Sequence, residues 1–225
     1  MSRLYVYKVR YDDGTAPCVE DGMLSLVLCK PAIRATARVG DTLIGFAAKS
    51  MCADQRLVYA AVVTERLADG TYYREARWRD RLDCIYTWRG GAFHRRRTAM
   101  VHDTAADLVR DLGEAPAYAR ANVLISDNFR YYAESRPADH ARYPTLARMI
   151  DRLGQGHRLN HGDRVHDELE RYLAEIWSEA QPRAMPAPAR SKCAPCTPAT
   201  PSTPTCARDH DGARNQRRSR QSKSG

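Results

Sequence analysis

The chain has 225 residues, 43% hydrophobic and 28% charged, which is enough to bury a core and unlike a wholly disordered polymer. Its net charge of +9 is uneven: residues 181–225 hold nine basic and two acidic residues, while residues 1–180 hold 27 basic and 25 acidic. A strongly basic folded body is therefore excluded. So is a bilayer-spanning apolar run, because the longest, 23–29 and 57–63, are strand-sized.

The first strand is expected over Leu4–Tyr11, where aromatic and aliphatic residues alternate up to a turn at Asp12-Asp13-Gly14. Met23–Cys29 is a short apolar strand stopped by Lys30-Pro31. Thr42–Ala48 follows Gly40-Asp41, and Leu57–Leu67 follows a polar loop. Such strands suit a small mixed sheet that curls, with a PUA-like barrel as one form. Later segments are helical. Thr104 to Asp107 spells a capping box before Leu108, Val109 and Leu112, with Gly113 as the stop. Asn122–Ile125 reads as a strand and Ser126-Asp127-Asn128 as a turn. Pro144 opens a helix through Leu146, Met149, Ile150 and Leu153. Asp163 is placed to cap a last helix whose apolar stripe ends at Ile176 and Trp177. The fold class is α+β with helices packed on the sheet. Two regions are expected: a domain over 1–180, and a disordered, Pro/Thr/Arg-rich basic tail over 181–225 that holds seven of the twelve prolines.

The N-terminal stretch carries Arg3, Lys8 and Arg10 with no apolar block before a cleavage site, so no signal peptide is expected. Seven cysteines, an odd number without a disulfide rhythm, suit free thiols in a cytoplasmic protein. Phosphate-cradling glycine loops, Gly-x-Ser-x-Gly elbows and His-Glu-x-x-His strings do not occur in the sequence.

Residues 72–97 concentrate charge and rings. Eight arginines, among them Arg89, Arg95, Arg96 and Arg97, face three acids and interleave with six aromatics, including Tyr86 and Trp88. Guanidinium groups hold phosphates and ring faces stack on bases, with Gly90-Gly91 as a flexible loop. The plainer reading is a solvated Arg face with core aromatics. Cys29, beside Lys30 and Arg34, has the surroundings of an activated thiol. His157 is its candidate base and Asp41 or Asp83 the orienting acid. Against that stands Cys29 as a small core residue, with anion binding by Lys30 and Arg34 favoured over nucleophilic chemistry. His157, His161 and His166 are separated by Gly162, and Cys193, Cys196, Cys206 and His210 lack a mini-core, so no metal and no cofactor is expected.

Several short strings then occur in a telling order: Tyr5-x-Tyr7-x-Val9, Ala16-Pro17, Cys29-Lys30-Pro31-x-Ile33-Arg34 and Val39-Gly40-Asp41. Leu57-Val58-Tyr59-Ala60, Asp83-x-Ile85-Tyr86, Asn122 to Ser126 with Phe129, and Gly156-His157 follow. Together they resemble the nucleotide modification associated domain 2 family of small bacterial and phage proteins, over about residues 3–177. The family is associated with systems that modify bases in DNA. The resemblance points to Cys29, Lys30, Arg34, Asp41, Asp83, Tyr86, Ser126 and His157 as motif positions. One departure is Leu82, where the family string has a Gly before the Asp. A looser pattern similarity links the chain to PUA, EVE and ASCH domains.

The resulting expectation is a protein that binds a base, modified or not, or a nucleotide. Lys30, Arg34, Asp41, Asp83, Tyr86, Ser126 and His157 would form its pocket, and Arg89, Arg95, Arg96 and Arg97 would meet nucleic-acid phosphate. The alternative is an enzyme of nucleotide or base modification that uses Cys29, Asp41, Asp83 and His157. A third reading is a non-catalytic subunit recruited by its tail. The partner is nucleic acid, DNA foremost, or a nucleotide, with no membrane and with the oligomeric state left open.

Overall fold

The computed structural model describes residues 2–133 and 135–180. The expectations for the tail, its cysteines and His210 lie outside these residues. The chain begins with β1 (Leu4–Val9), β2 (Cys18–Glu20), β3 (Met23–Leu26) and α1 (Pro31–Thr36). Next come β4 (Thr42–Ala47), β5 (Leu57–Val62), β6 (Glu65–Leu67), α2 (Thr71–Arg74), β7 (Tyr86–Arg89) and β8 (Ala92–Arg95). It closes with α3 (Ala105–Leu112), β9 (Val123–Ser126), β10 (Asn128–Tyr131), α4 (Pro144–Arg152), β11 (His157–Arg158) and α5 (Asp163–Ser178).

Every residue of β1 is buried, so its alternation does not separate a wet face from a dry one. It feeds two cores instead. Leu4 and Val6 join Ile44, Phe46 and the apolar stripes of α4 and α5. Tyr5, Tyr7 and Val9 face Leu24, Leu26, Ile33 and Leu124. A strand covered on both sides belongs to a layered fold. The first sheet has the order β10-β5-β4-β1-β11, with β1 and β4 parallel and the other pairs antiparallel. The second has the order β2-β3-β9-β6, and β7 and β8 form a separate hairpin.

The fold is thus α+β as expected, but none of the sheets described closes into a barrel. The reason lies at two corners. The run Leu57–Leu67 is not one strand: it breaks at Val63 and Thr64, so that β5 enters one sheet and β6 the other. The turn at Asp127 divides β9 from β10 in the same way.

Three local readings also change. The strand expected over Met23–Cys29 ends at Leu26, and Lys30-Pro31 starts a helix, because proline's fixed φ suits the first helical position. Gly90-Gly91 is an ordered two-residue hairpin turn with φ of 57° and 82°, which only glycine adopts freely, and it pairs Arg89 with Ala92. Gly162, not Asp163, occupies the cap of α5, and Asp163 is its first residue. The capping box of Thr104 and Asp107 is present, and it fixes the start of α3.

Candidate active site

The apolar run of β3 continues through Val27 and Leu28, both fully buried. The chain then reverses at Cys29 (φ 56°) and Lys30 (φ 39°), both left-handed, before Pro31 opens α1. A non-glycine residue in this region costs about 1 kcal/mol or more, and such positions gather at functional sites. The turn leaves the Cys29 thiol exposed.

Arg34 holds the turn from inside. Its guanidinium is fully buried and donates to the carbonyls of Cys29 (2.8 Å), Arg120 (2.8 Å), Asn122 (2.6 Å) and Asp111 (2.9 Å). Burial pushes its pKa down, against the pull of Tyr73 and Asp111. This side chain, expected to meet phosphate, is committed to carbonyls that close the Cys29 turn onto α3.

His102 lies across from the thiol, its Nε2 3.9 Å from Cys29 Sγ. It too has a left-handed backbone, with φ 55°. Its Nδ1 is hydrogen-bonded to Asp111 Oδ2. Asp111 is fully buried on α3, and the same oxygen accepts the Tyr86 hydroxyl at 2.8 Å. The bond to Asp111, and after it the one to Cys29, lifts the His102 pKa to about 9 against burial. At neutral pH the ring is an imidazolium, and both nitrogens donate. A thiol, an imidazole and a buried carboxylate therefore stand in one row: Cys29, His102, Asp111.

Neither His102 nor Asp111 is among the residues that the sequence singles out. Asp111 has a readable signal, since it lies three residues after Leu108 and so on the buried face of α3. His102 has none. Arg95 donates to the carbonyls of Ala99 and Val101, which ties the hairpin to the loop that delivers His102.

Lys30 lies next to the thiol in the chain. Its Nζ donates to Gln155 O at 3.1 Å and sits 4.9 Å from the Tyr7 ring centroid. Burial lowers its pKa. His157, two residues on from Gln155, stacks on Tyr5 with centroids 5.7 Å apart. Burial and then Lys30 hold His157 below its ordinary value, so it is neutral at neutral pH. The described residues show no hydrogen bond between His157 and Cys29, and the thiol's imidazole partner is His102.

The other expected residues lie in separate arrangements. Asp83 is fully buried, accepts from Ser25 and Tyr72, and has Arg81 Nε at 3.6 Å. Burial raises its pKa, and Arg81 opposes the rise. Asp41 borders an open pocket lined by Ser2, Arg3, Arg38, Val39 and Gly40. Its carboxylate already accepts the Arg3 side chain (2.7 Å) and the backbone N–H groups of Arg3 (2.9 Å) and Arg38 (2.8 Å). Burial would raise its pKa, but these bonds outweigh it and hold the carboxyl low. Ser126 Oγ donates to Asn128 O at 2.8 Å.

Of the six aromatics in 72–97, Tyr72, Tyr73, Trp78, Tyr86 and Phe93 are core residues, and Trp88 is half-buried under Arg74, 4.1 Å from its ring centroid. Arg96 donates to Tyr86 O and Arg79 O, while Arg89 and Arg97 are exposed. His161 bonds Leu4 O at 2.9 Å and His166 approaches Glu170 at 3.8 Å, so the three clustered histidines face different partners. Among the described residues, no group of three or more His, Cys, Asp or Glu is placed to hold a metal, and no helix is long and apolar enough to cross a membrane.

Comparison with known proteins gives a family and no individual relative. No curated protein and no solved structure matches the chain. One family model does, and it covers residues 1–193, the whole of the described fold. With that match, the chain belongs to the nucleotide modification associated domain 2 family.

Proposed function

We propose that this protein is an enzyme of nucleotide or nucleobase modification that uses Cys29 as its nucleophile. His102 exchanges the proton and Asp111 orients the imidazole. The observation that carries the reading is the row of three: thiol 3.9 Å from Nε2, and Nδ1 on a buried carboxylate. A pocket that only reads a base needs no such row. Each member has a separate physical cause, since the left-handed turn exposes Cys29, Arg95 steadies the loop of His102, and Tyr86 anchors Asp111. Lys30, next to the thiol in the chain, supplies a cation for substrate phosphate, and Arg89 and Arg97 are exposed cations for the backbone of a polymeric substrate.

The test is selective alkylation. Full-length protein is treated with iodoacetamide at neutral pH, and the modified cysteines are read by peptide mass spectrometry. Cys29 is expected to react faster than Cys52, and His102→Gln to slow it. Alkylation of Cys29 no faster than that of a small free thiol, and indifferent to His102→Gln, refutes the reading.

A further inference from the structure

The row of three also narrows the reaction, on the premise that Cys29 is the nucleophile. We propose that the site takes an N-acylated nucleobase and cleaves its amide through a thioester on Cys29.

The argument starts from what the arrangement provides. An amide's leaving group is an amine, which departs only as its nitrogen gains a proton. His102 stands 3.9 Å from the sulfur with its far nitrogen on Asp111, so its near N–H is where a departing nitrogen would lie. Asp111 cannot turn away, because Tyr86 donates to the same oxygen and Arg34 grips its backbone. Two other thiol reactions fit the described residues less well. Alkyl transfer from a sulfonium needs no acid, because its leaving group departs neutral. A disulfide cycle needs a second thiol. Among the described residues, Cys18 and Cys84 are buried with thiols pushed up to about 12 and about 11, and Cys52 is bonded to Asp54.

The steps balance without any co-reactant except water. The Cys29 thiolate attacks the carbonyl carbon, the C–N bond breaks, and the His102 Nε2 proton passes to the departing nitrogen. The products are a free exocyclic amine and an acyl-Cys29 thioester. Neutral His102 then takes a proton from water as its oxygen attacks the thioester. The C–S bond breaks, a carboxylic acid leaves, and the thiolate and imidazolium are restored. Lys30, the next residue in the chain, is the group placed to meet the phosphate of a nucleotide substrate.

The experiment uses full-length protein with N4-acetyl-2′-deoxycytidine, N6-acetyl-2′-deoxyadenosine and their 5′-monophosphates. Release of the free amine is followed by chromatography, and Cys29 is checked for an acetyl group that hydroxylamine removes. Iodoacetamide labelling runs in parallel. Deacetylation is expected to be lost in Cys29→Ser and reduced about 100-fold in His102→Gln. His102→Gln should also let the acetyl-thioester accumulate when 4-nitrophenyl acetate, whose leaving group needs no acid, is the donor. Lack of amine release alongside fast, His102-dependent alkylation overturns the amide substrate and leaves the thiol nucleophile standing. Slow alkylation that ignores His102 removes both. Deacetylation that persists in Cys29→Ser overturns the thioester route.

Discussion

Arg34 joins Cys29 to Asp111: one guanidinium donates to the first residue's carbonyl at 2.8 Å and to the second's at 2.9 Å. The two ends of the row proposed to be catalytic are thus fixed by one buried cation bonded to their backbone carbonyls. Arg34→Met leaves four carbonyls without this donor, those of Asn122 and Asp111 buried and those of Cys29 and Arg120 partly so, and folding stability is expected to fall by at least about 3 kcal/mol. Arg34→Lys retains charge but not the fork. It should melt above Arg34→Met, and its Cys29 alkylation should be slower than wild type. Thermal melts and labelling rates separate the two effects. A lysine variant with native Cys29 reactivity would confine Arg34 to folding.

Asp83 provides the contrast. It is as buried as Asp111, but it is committed to Ser25, Tyr72 and Arg81, and none of these touches Cys29 or His102. Asp83→Asn turns an amide toward donors that expect a carboxylate, which costs about 1–3 kcal/mol. Its Cys29 labelling rate, measured below the lowered melting point, should equal that of wild type. A large loss of reactivity would show that the two buried acids are coupled.

What can be read from the chain follows from where its signals are local. The strands are legible because alternation in Leu4–Val9 is a property of neighbours, although the sequence does not show that both faces are covered. Cys29 and Tyr86 stand out in the sequence as candidates by type and setting. The proposed base, His102, does not. Cys29 and His102 stand 73 positions apart, and His102 lies in a loop without periodicity, so only the topology brings them together. His157 looks equivalent because its glycine-flanked loop also approaches this region, yet it ends on Tyr5 beside Lys30. Asp111 differs again, because a carboxylate three residues beyond Leu108 on an amphipathic helix announces a buried acid through spacing alone.

Gly45 permits a close approach that packing alone enforces. A Cβ there would lie 2.6 Å from Tyr59 Cε1 and 2.9 Å from Val9 Cγ2. Tyr59 is fully buried and its hydroxyl is paired with that of Tyr7, so its ring cannot swing aside cheaply. Gly45→Ala should cost about 1–3 kcal/mol through overpacking. Chemical denaturation measures it, and an unchanged midpoint would mean that β4 gives way against β5 and β1 more readily than these contacts imply.

The His102 pair should write its signature on stability as well as on reactivity. The folded-state pKa of about 9 stands above the ordinary 6.5, so the folded form binds the proton more tightly than the unfolded chain. The stabilisation is therefore complete below pH 6.5 and is lost as pH rises through about 9. Its size is on the order of 1–3 kcal/mol, since the side chain is mostly enclosed and its partner Asp111 is buried. His102→Gln lacks the charge at every pH. The stability difference between wild type and His102→Gln, from urea unfolding at several pH values, should be largest near pH 6 and shrink steadily toward pH 9.5. A difference that stays flat across this range would mean that the imidazole is neutral in the native protein. Cys29 would then face a hydrogen-bond acceptor, and the thiol itself would supply the proton that His102 passes to the departing nitrogen.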